Sequence, residues 1–531
     1  MSSTVGCYVV DLLIANGIDT VFGIPGVHNI ELYRGLSRDG IRHILVRHEQ
    51  GAGFAADGFA RVSGTPAAAF VISGPGLTNI LTAAAQAYSD SVPLMVVATT
   101  PVSQSLGKRW GVLHELHNQY AVAVGVFGVA RAARSAEDVR DHLRACLASL
   151  RVGRARPAYL EIPLDLLSEN TDLVAAKFND VILLPQPDRL QIEAAVKLLA
   201  SAARPLIIAG GGARRAALEV QRLVENIDGF LMTTVAGKGV MSELHCASLG
   251  ACLPYAPAQS LIAEADVILA VGTELAETDF YSGMRLPFSA RLIRVDVDPA
   301  KLSDHYGAEV PIWGDATTTL RALNQGLSAK TGWRTRIGST LNMRARIESG
   351  FDAKTRLMQV ALAAIRAAVP AETVVLTDMT QIAYLGNYAY LTEAPGLWFH
   401  PSGYGTLGFA LPAALGAKIS SPTRAIIALA GDFGIQFTLG ELMTAVESGL
   451  SLPIIVWNNS TLGQIRDDML GAHISPVGVV ARNPDFVALA QACGAVAVRA
   501  HNAASLSQAV RDALIHAGPT LIEVVANDFS E

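Results

Sequence analysis

The chain has 531 residues, of which 51% are hydrophobic and 17% charged, and its formal net charge is −6. It is too long for one core, so roughly two to four domains are expected, and its apolar content excludes a disordered chain. An acidic balance without a Lys/Arg block argues against nucleic acid or an acidic membrane surface as main partner, and no apolar run reaches the ~18 residues that would span a membrane.

The opening stretch MSSTVGCYVVDLLIANG has no basic region or cleavage site and reads as the first amphipathic helix of a domain. Five apolar runs follow, DTVFGIPG, RHILVRHE, AAAFVISGPG, PLMVVATTP and PAYLEIPLD, separated by helical patterns. That alternation predicts a parallel sheet with helices on both faces. SENTDLVAAKFNDVILLPQPDRL is polar and Pro-containing, and reads as a linker. The pattern repeats in PLIIAGGGA, GFLMTTVAG, ADVILAVGTEL and RLIRVDVDP, then, after a charged connector, in ETVVLTDMT, TRAIIALAGD, LPIIVWNNS and PTLIEVVA. The predicted fold is therefore α/β, with three doubly wound parallel-sheet domains over residues 1–170, 188–325 and 355–531. The glycine triplet of PLIIAGGGARRAA reads as a structural turn in preference to a dinucleotide site. GTELAETDF, with Glu274, Glu277 and Asp279, reads as a solvated acidic turn. The five cysteines (Cys7, Cys146, Cys246, Cys252, Cys493) form no CxxC pair and are expected as reduced, buried thiols of a cytoplasmic protein.

The chemistry is most legible in AIIALAGDFGIQFTLGELMTAVESGLSLPIIVWNNSTLGQIRD. One apolar strand ends at Gly431-Asp432, a helix follows, and a second strand ends at Asn458-Asn459. In a parallel sheet both ends lie on the edge where open α/β sheets bind ligands. Asp432 offers a carboxylate oxygen, Asn459 an amide oxygen and Thr461 a main-chain carbonyl. Such hard oxygens suit Mg²⁺ or Ca²⁺, with phosphate and water completing the shell. Glycines let the backbone approach phosphate.

This segment resembles the GDG…NN signature of thiamine-diphosphate enzymes, and the three blocks resemble that family's pyrimidine-binding, central and diphosphate-binding domains in order. Phe433 stands where the signature usually has Gly; Gly434 follows it. The resemblance implies thiamine diphosphate and Mg²⁺ as cofactors, with Asp432, Asn459 and Thr461 as metal ligands and Gly431, Phe433, Gly434, Leu462 and Gly463 at the cofactor. It assigns Thr380 and Gln381 as diphosphate donors, and Pro25, Gly74 and Asn79 to the pyrimidine side. In FHPSGYGTLGFALPAALGAK, Leu407 matches the wedge between the cofactor rings and Gly405 the carbonyl that accepts from the 4′-amino group.

Glu49, at a strand end before a Gly/Ala-rich helix, reads by itself as a helix N-terminal carboxylate. Resemblance makes it the group that holds a proton at N1′ of the aminopyrimidine, for which a dry pocket and a raised pKa are expected. Glu49 and the metal segment lie in different blocks, and the family joins them across a homodimer, with tetramers common. The substrate side falls to the loops carrying Val27, His28 and Asn29, and His114 and His117, and to Gln464. His28 and His117 are the candidate proton donors, and His117 is matched with a glutamine position of acetolactate synthases. HEQGAGFAADGFARVSG resembles acetolactate synthase, whereas LHELHNQ, GTELAETD, TDMTQ and PSGYGTLGFALPAALGAK resemble guanidino-oxopentanoate decarboxylases. The expected reaction is non-oxidative decarboxylation of a 2-oxo acid to an aldehyde and CO₂. The alternatives are carboligation to an acyloin or acetohydroxy acid, and a non-catalytic cofactor-binding oligomer. Under the decarboxylase reading, the acidic turn is a candidate for facing a substrate guanidinium.

Overall fold

The computed structural model describes residues 3–180, 183–281, 283–337, 341–480 and 482–530. Short strands Ser3–Thr4 (β1) and Asn170–Thr171 (β8) pair antiparallel and tie the two ends of the first block together. Between them lie Thr20–Gly23 (β2), Arg42–Leu45 (β3), Ala68–Val71 (β4), Met95–Thr100 (β5), Val129–Ala132 (β6) and Ala158–Pro163 (β7), all parallel, in spatial order 3-2-4-5-7-6. The second sheet contains Pro205–Ala209 (β9), Phe230–Thr233 (β10), Ser248–Gly250 (β11), Val267–Val271 (β12), Arg291–Asp296 (β13) and Val310–Trp313 (β14), ordered 11-10-9-12-13-14. The third contains Val374–Thr377 (β15), Trp398–Phe399 (β16), Ile426–Gly431 (β17), Leu452–Asn458 (β18), Val496–Ala500 (β19) and Pro519–Val525 (β20), ordered 16-15-17-18-20-19.

The first and third sheets share one topology, although no repeat is visible in the sequence. The second has the order of a dinucleotide-binding sheet. Every sequence-predicted strand is present. The unpredicted strands of the three main sheets, β6, β11, β14, β16 and β19, are all sheet edges, and the small β1–β8 pair, in the stretches read as first helix and linker, was not predicted either. An edge strand needs no uninterrupted apolar run, because it is covered less completely than a central one.

The first and third units share a hydrophobic core, in which Phe22, Phe54 and Phe59 meet Phe409, Leu411 and Leu415. At its centre the helix Glu49–Ser63 crosses the helix Ala410–Ser420, which is buried from Ala410 to Ile419. The crossing is close enough that a Cβ on Gly416 would lie 1.8 Å from Ala55 O, and one on Gly58 would lie 2.0 Å from Ala413 O. Helix Glu49–Ser63 begins where the His48 ring accepts the Gln50 N–H and stops at Gly64, whose φ of 75° ends the turn.

Candidate active site

At the third sheet, three neighbouring strands deliver the predicted oxygens to one edge. β15 leads to Asp378–Gln381, β17 to Gly431-Asp432 and β18 to Asn459–Gly463. Contacts confirm the convergence: a Cβ on Gly431 would meet Thr380 Oγ1 at 2.8 Å, and one on Gly463 would meet Gln381 Oε1 at 2.3 Å and Asn459 Nδ2 at 3.0 Å. Asp432 is buried, its Oδ2 accepts from Asn483 Nδ2 at 2.6 Å, and desolvation raises its pKa. Asn459 Oδ1 accepts the Thr461 N–H at 3.2 Å, Ser460 takes φ 55°, and Thr461 Oγ1 donates to Val479 O at 2.9 Å. These bonds hold the loop in its turn. Gln381 Oε1 is buried without a partner.

Among the described residues no three His, Cys, Asp or Glu side chains gather as a metal cage. One carboxylate beside amide and carbonyl oxygens fits a hard cation that takes its remaining ligands from phosphate and water. The glycine cradle fits a diphosphate, and the orphaned Gln381 oxygen, an acceptor, fits its cation and not the phosphate, since the Gln381 amide N–H is given to Asp467 at 3.0 Å. Phe433 is half-buried, and Gly434 lies against Asp378, where a Cβ would come within 2.6 Å of Oδ2. The small residue that packing requires here is therefore Gly434.

Asp378 organises the Gly-rich loop. Its buried carboxylate accepts N–H groups from Met379 at 2.9 Å and Gly408 at 3.0 Å, and from Phe409 and Ala410. Desolvation outweighs those bonds and lifts its pKa to about 6. From the first unit, Asp90 Oδ1 accepts the Gly403 N–H at 2.9 Å and Gln86 Oε1 accepts from Thr406 Oγ1 at 2.8 Å. Gly405 has φ 73°, and Leu407 is half-buried on this doubly anchored loop.

At the first sheet, Glu49 is the first residue of its helix, 9% exposed, and its Oε2 accepts from Asn79 Nδ2 at 2.9 Å. Gly74, at φ 63°, donates its N–H to Gln119 Oε1 at 3.0 Å; Gln119 is fixed in turn by Thr99 O and Tyr159 OH. His28 is buried, with Nδ1 2.8 Å from Ser73 Oγ, which lies 3.2 Å from Thr99 Oγ1. Its ring is 4.7 Å from that of His114. Desolvation and then His114 lower the pKa of His28, favouring the neutral ring. His114 has φ 61° and a buried Nδ1 without a partner.

His117 stands apart: it is exposed and accepts from Arg109 Nε at 3.0 Å. Pro25 and Val27 are exposed on their loop. Asn29 instead turns inward, accepting from Gly26 N at 2.8 Å and donating to Ile24 O at 3.1 Å. Gln464 is exposed and donates to Asp468 Oδ1 at 2.9 Å. Among the described residues no hydrogen bond or ion pair joins the Glu49 group to the Asp432 group.

Two expectations are corrected. The acidic turn is not solvated throughout. Glu274 pairs with Arg154 at 2.8 Å and Lys301 at 2.9 Å, and desolvation lifts Asp279 to about 7. Both line a cleft of about 330 Å³ beside the Gly211-Gly212 turn, Arg214 and His400; only Glu277 of the three is exposed. Not every thiol is buried either: Cys246 is exposed, 3.2 Å from Arg334 Nη1. Sequence reasoning also missed Asp378, Ser73, Gln119 and Asn483. Asp378 carried a usable signal, an aspartate ending an apolar strand as Asp432 does; Asn483 carried none.

Three family profiles match in the order of the sheets: thiamine pyrophosphate enzyme, N-terminal TPP binding domain, over residues 3–122; the central domain over 192–323; and the C-terminal TPP binding domain over 378–524. The chain is 46% identical to a probable 2-ketoarginine decarboxylase of Pseudomonas aeruginosa, over 98% of this chain and 94% of that one. It is 30% identical to a probable acetolactate synthase large subunit of Methanocaldococcus jannaschii, covering 97% and 91% of the two chains. It is 29% identical to the acetolactate synthase isozyme 3 large subunit of Escherichia coli, covering 95% and 91%.

Proposed function

The chain belongs to the thiamine pyrophosphate enzymes, and from that premise we propose that it decarboxylates a 2-oxo acid carrying a guanidino group, releasing CO₂ and an aldehyde. The substrate class rests on the higher identity to the probable 2-ketoarginine decarboxylase than to the acetolactate synthases. The observation that carries the site is a buried Glu49 held by Asn79 in the first unit, with buried Asp432 among the strand-end oxygens of the third. Membership of the family implies that the active unit is a homodimer or a larger homo-oligomer, with the two groups meeting between copies. Working boundaries for the three domains are residues 1–170, 188–325 and 355–531.

Asp432, Asn459 and the Thr461 carbonyl hold Mg²⁺, with the Gln381 oxygen turned to the cation, and Thr380, Gly431, Gly434, Leu462 and Gly463 bind the diphosphate, with Phe433 at its edge. Pro25, Gly74 and Asn79 bound the pyrimidine. With the cofactor bound, Glu49 would hold a proton at its aminopyrimidine, the Gly405 carbonyl would accept from its amino group, and Leu407 would pack between its rings. When bound, the cofactor supplies the electron sink that decarboxylation needs. His28 and His114 face the substrate with Val27 and Gln464. His117 reaches it only if it leaves Arg109.

The test incubates the enzyme with Mg²⁺, thiamine diphosphate and a panel of 2-oxo acids, and measures CO₂, aldehyde and acyloin. Equimolar CO₂ and aldehyde, fastest from 5-guanidino-2-oxopentanoate, is the expected result. Acyloin or acetohydroxy acid in place of aldehyde establishes the carboligase reading, which the acetolactate synthase relatives favour. No turnover of any substrate with cofactor bound refutes an enzymatic role. Glu49→Gln is expected to retain the cofactor and lose most C2–H exchange.

A further inference from the structure

One buried carboxylate outside the groups above reaches the main chain beside Glu49. Glu441 begins the helix Glu441–Glu447 of the third unit and is 1% exposed. Its Oε1 accepts the N–H groups of Arg47 at 3.0 Å and His48 at 3.1 Å, the two residues immediately before Glu49. Its Oε2 accepts from Thr444 Oγ1 at 2.7 Å, and Thr444 Oγ1 also lies 3.3 Å from Leu45 O. On the other side the carboxylate rests on Gly51, where a Cβ would stand 2.2 Å from Oε1. Helix Glu441–Glu447 follows the Asp432–Phe437 helix directly, with Thr438 Oγ1 donating to Gly408 O at 2.8 Å on the way. The segment carrying the metal-type oxygens thus continues, within a few residues, into a clamp on the strand-to-helix turn that aims Glu49.

We infer that Glu441 is the positioning residue for Glu49: it fixes the 47–51 main chain so that the Glu49 carboxyl meets the pyrimidine in register. This rests on the reading of Glu49 above. The clamp consists of hydrogen bonds accepted by an oxygen from two N–H groups. A neutral amide oxygen in the same place therefore retains it, and a side chain without an oxygen loses it. Neither change touches cofactor or substrate.

The experiment compares Glu441→Ala, Glu441→Gln and Gly51→Ala in the full-length protein. Three quantities are read: deuterium exchange at C2 of bound thiamine diphosphate, the cofactor dissociation constant in Mg²⁺, and amide hydrogen exchange of residues 45–52 in the cofactor-free protein. Glu441→Ala and Gly51→Ala are expected to slow C2 exchange on the order of 100-fold, the cost of a small misplacement of a catalytic group. The dissociation constant should stay within a few-fold, while the amides of Arg47 and His48 lose protection. Glu441→Gln should restore both protection and exchange, and the Ala/Ala double variant should be no slower than Glu441→Ala, because both break one contact. Wild-type C2 exchange in Glu441→Ala, with Glu49→Gln blocked, overturns the inference and leaves the role of Glu49 standing. Glu441→Gln as slow as Glu441→Ala also overturns it. If Glu441→Ala does not fold, Gly51→Ala and Glu441→Gln decide by the same criteria. Wild-type exchange in Glu49→Gln instead sinks the reading of Glu49 itself.

Discussion

Asp378→Asn separates the charge of a buried carboxylate from its shape. In the wild type both oxygens face main-chain N–H groups, from Met379 and Gly408 through Ala410. An amide offers one oxygen and turns an NH₂ toward the remaining donors. About two N–H groups lose an acceptor at about 1–3 kcal/mol each, so the loss is about 2–6 kcal/mol. Against this stands the burial of charge. The Asp378 pKa is raised from 3.8 to about 6. Between those values the folded protein keeps a proton that the unfolded chain releases, so this group's contribution falls as pH rises through the window. The difference is about 2 units, or about 3 kcal/mol of stability present near pH 4 and absent at pH 7. Asparagine does not titrate. The stability gap between wild type and Asp378→Asn should therefore be wide near pH 4 and narrower, by about 3 kcal/mol, at pH 7. Urea midpoints of the cofactor-free proteins at the two pH values measure it, and subtracting the variant removes the other acid-sensitive groups. Turnover at pH 7 should fall sharply even where the stability gap is small, because the donors displaced belong to the loop of Gly405 and Leu407. A gap that stays constant with pH, or that widens as pH rises, would refute the reasoning.

Asp432→Ala should lose bound cofactor on gel filtration in Mg²⁺; undiminished, metal-independent affinity would remove Asp432 from the site. His28→Ala should lower turnover on the order of 100-fold, the usual scale of a general acid–base group, while His117→Ala stays within a few-fold; equal losses would contradict the burial of His28 and the exposure of His117. Lys238 and Glu243 form a buried pair at 2.8 Å, and Glu243 also accepts the Thr392 N–H at 2.7 Å, tying the second unit to the third. Lys238→Met strands that carboxylate, so a loss of about 3–5 kcal/mol is expected, seen as a lower thermal midpoint. Removing both charges in Lys238→Met/Glu243→Leu should recover part of it, and no recovery would argue against the pair.

The central strands were legible because a parallel sheet buries both faces, which leaves an uninterrupted apolar run as its trace. Runs such as VILAV and IIALA could be read directly, whereas the edge strands VARA, SLG and WF could not. The positions of Asp432, Asn459 and Glu49 were legible for a related reason, whereas their roles came from the family resemblance. Strand ends fix where a side chain emerges, so a polar residue after an apolar run already has an address. The tertiary structure alone decided how those addresses are joined. It paired His28 with His114 and left His117 on Arg109, since neighbours in a loop can point to opposite sides. It turned Asn29 inward and set the acidic turn against Arg154 and Lys301. It brought Glu441 onto the main chain of Arg47, 394 residues away in sequence. Contacts of that separation leave no periodicity in either segment; they arise only when the first and third units close on their shared core at Gly58 and Gly416, and that geometry belongs to the assembled chain.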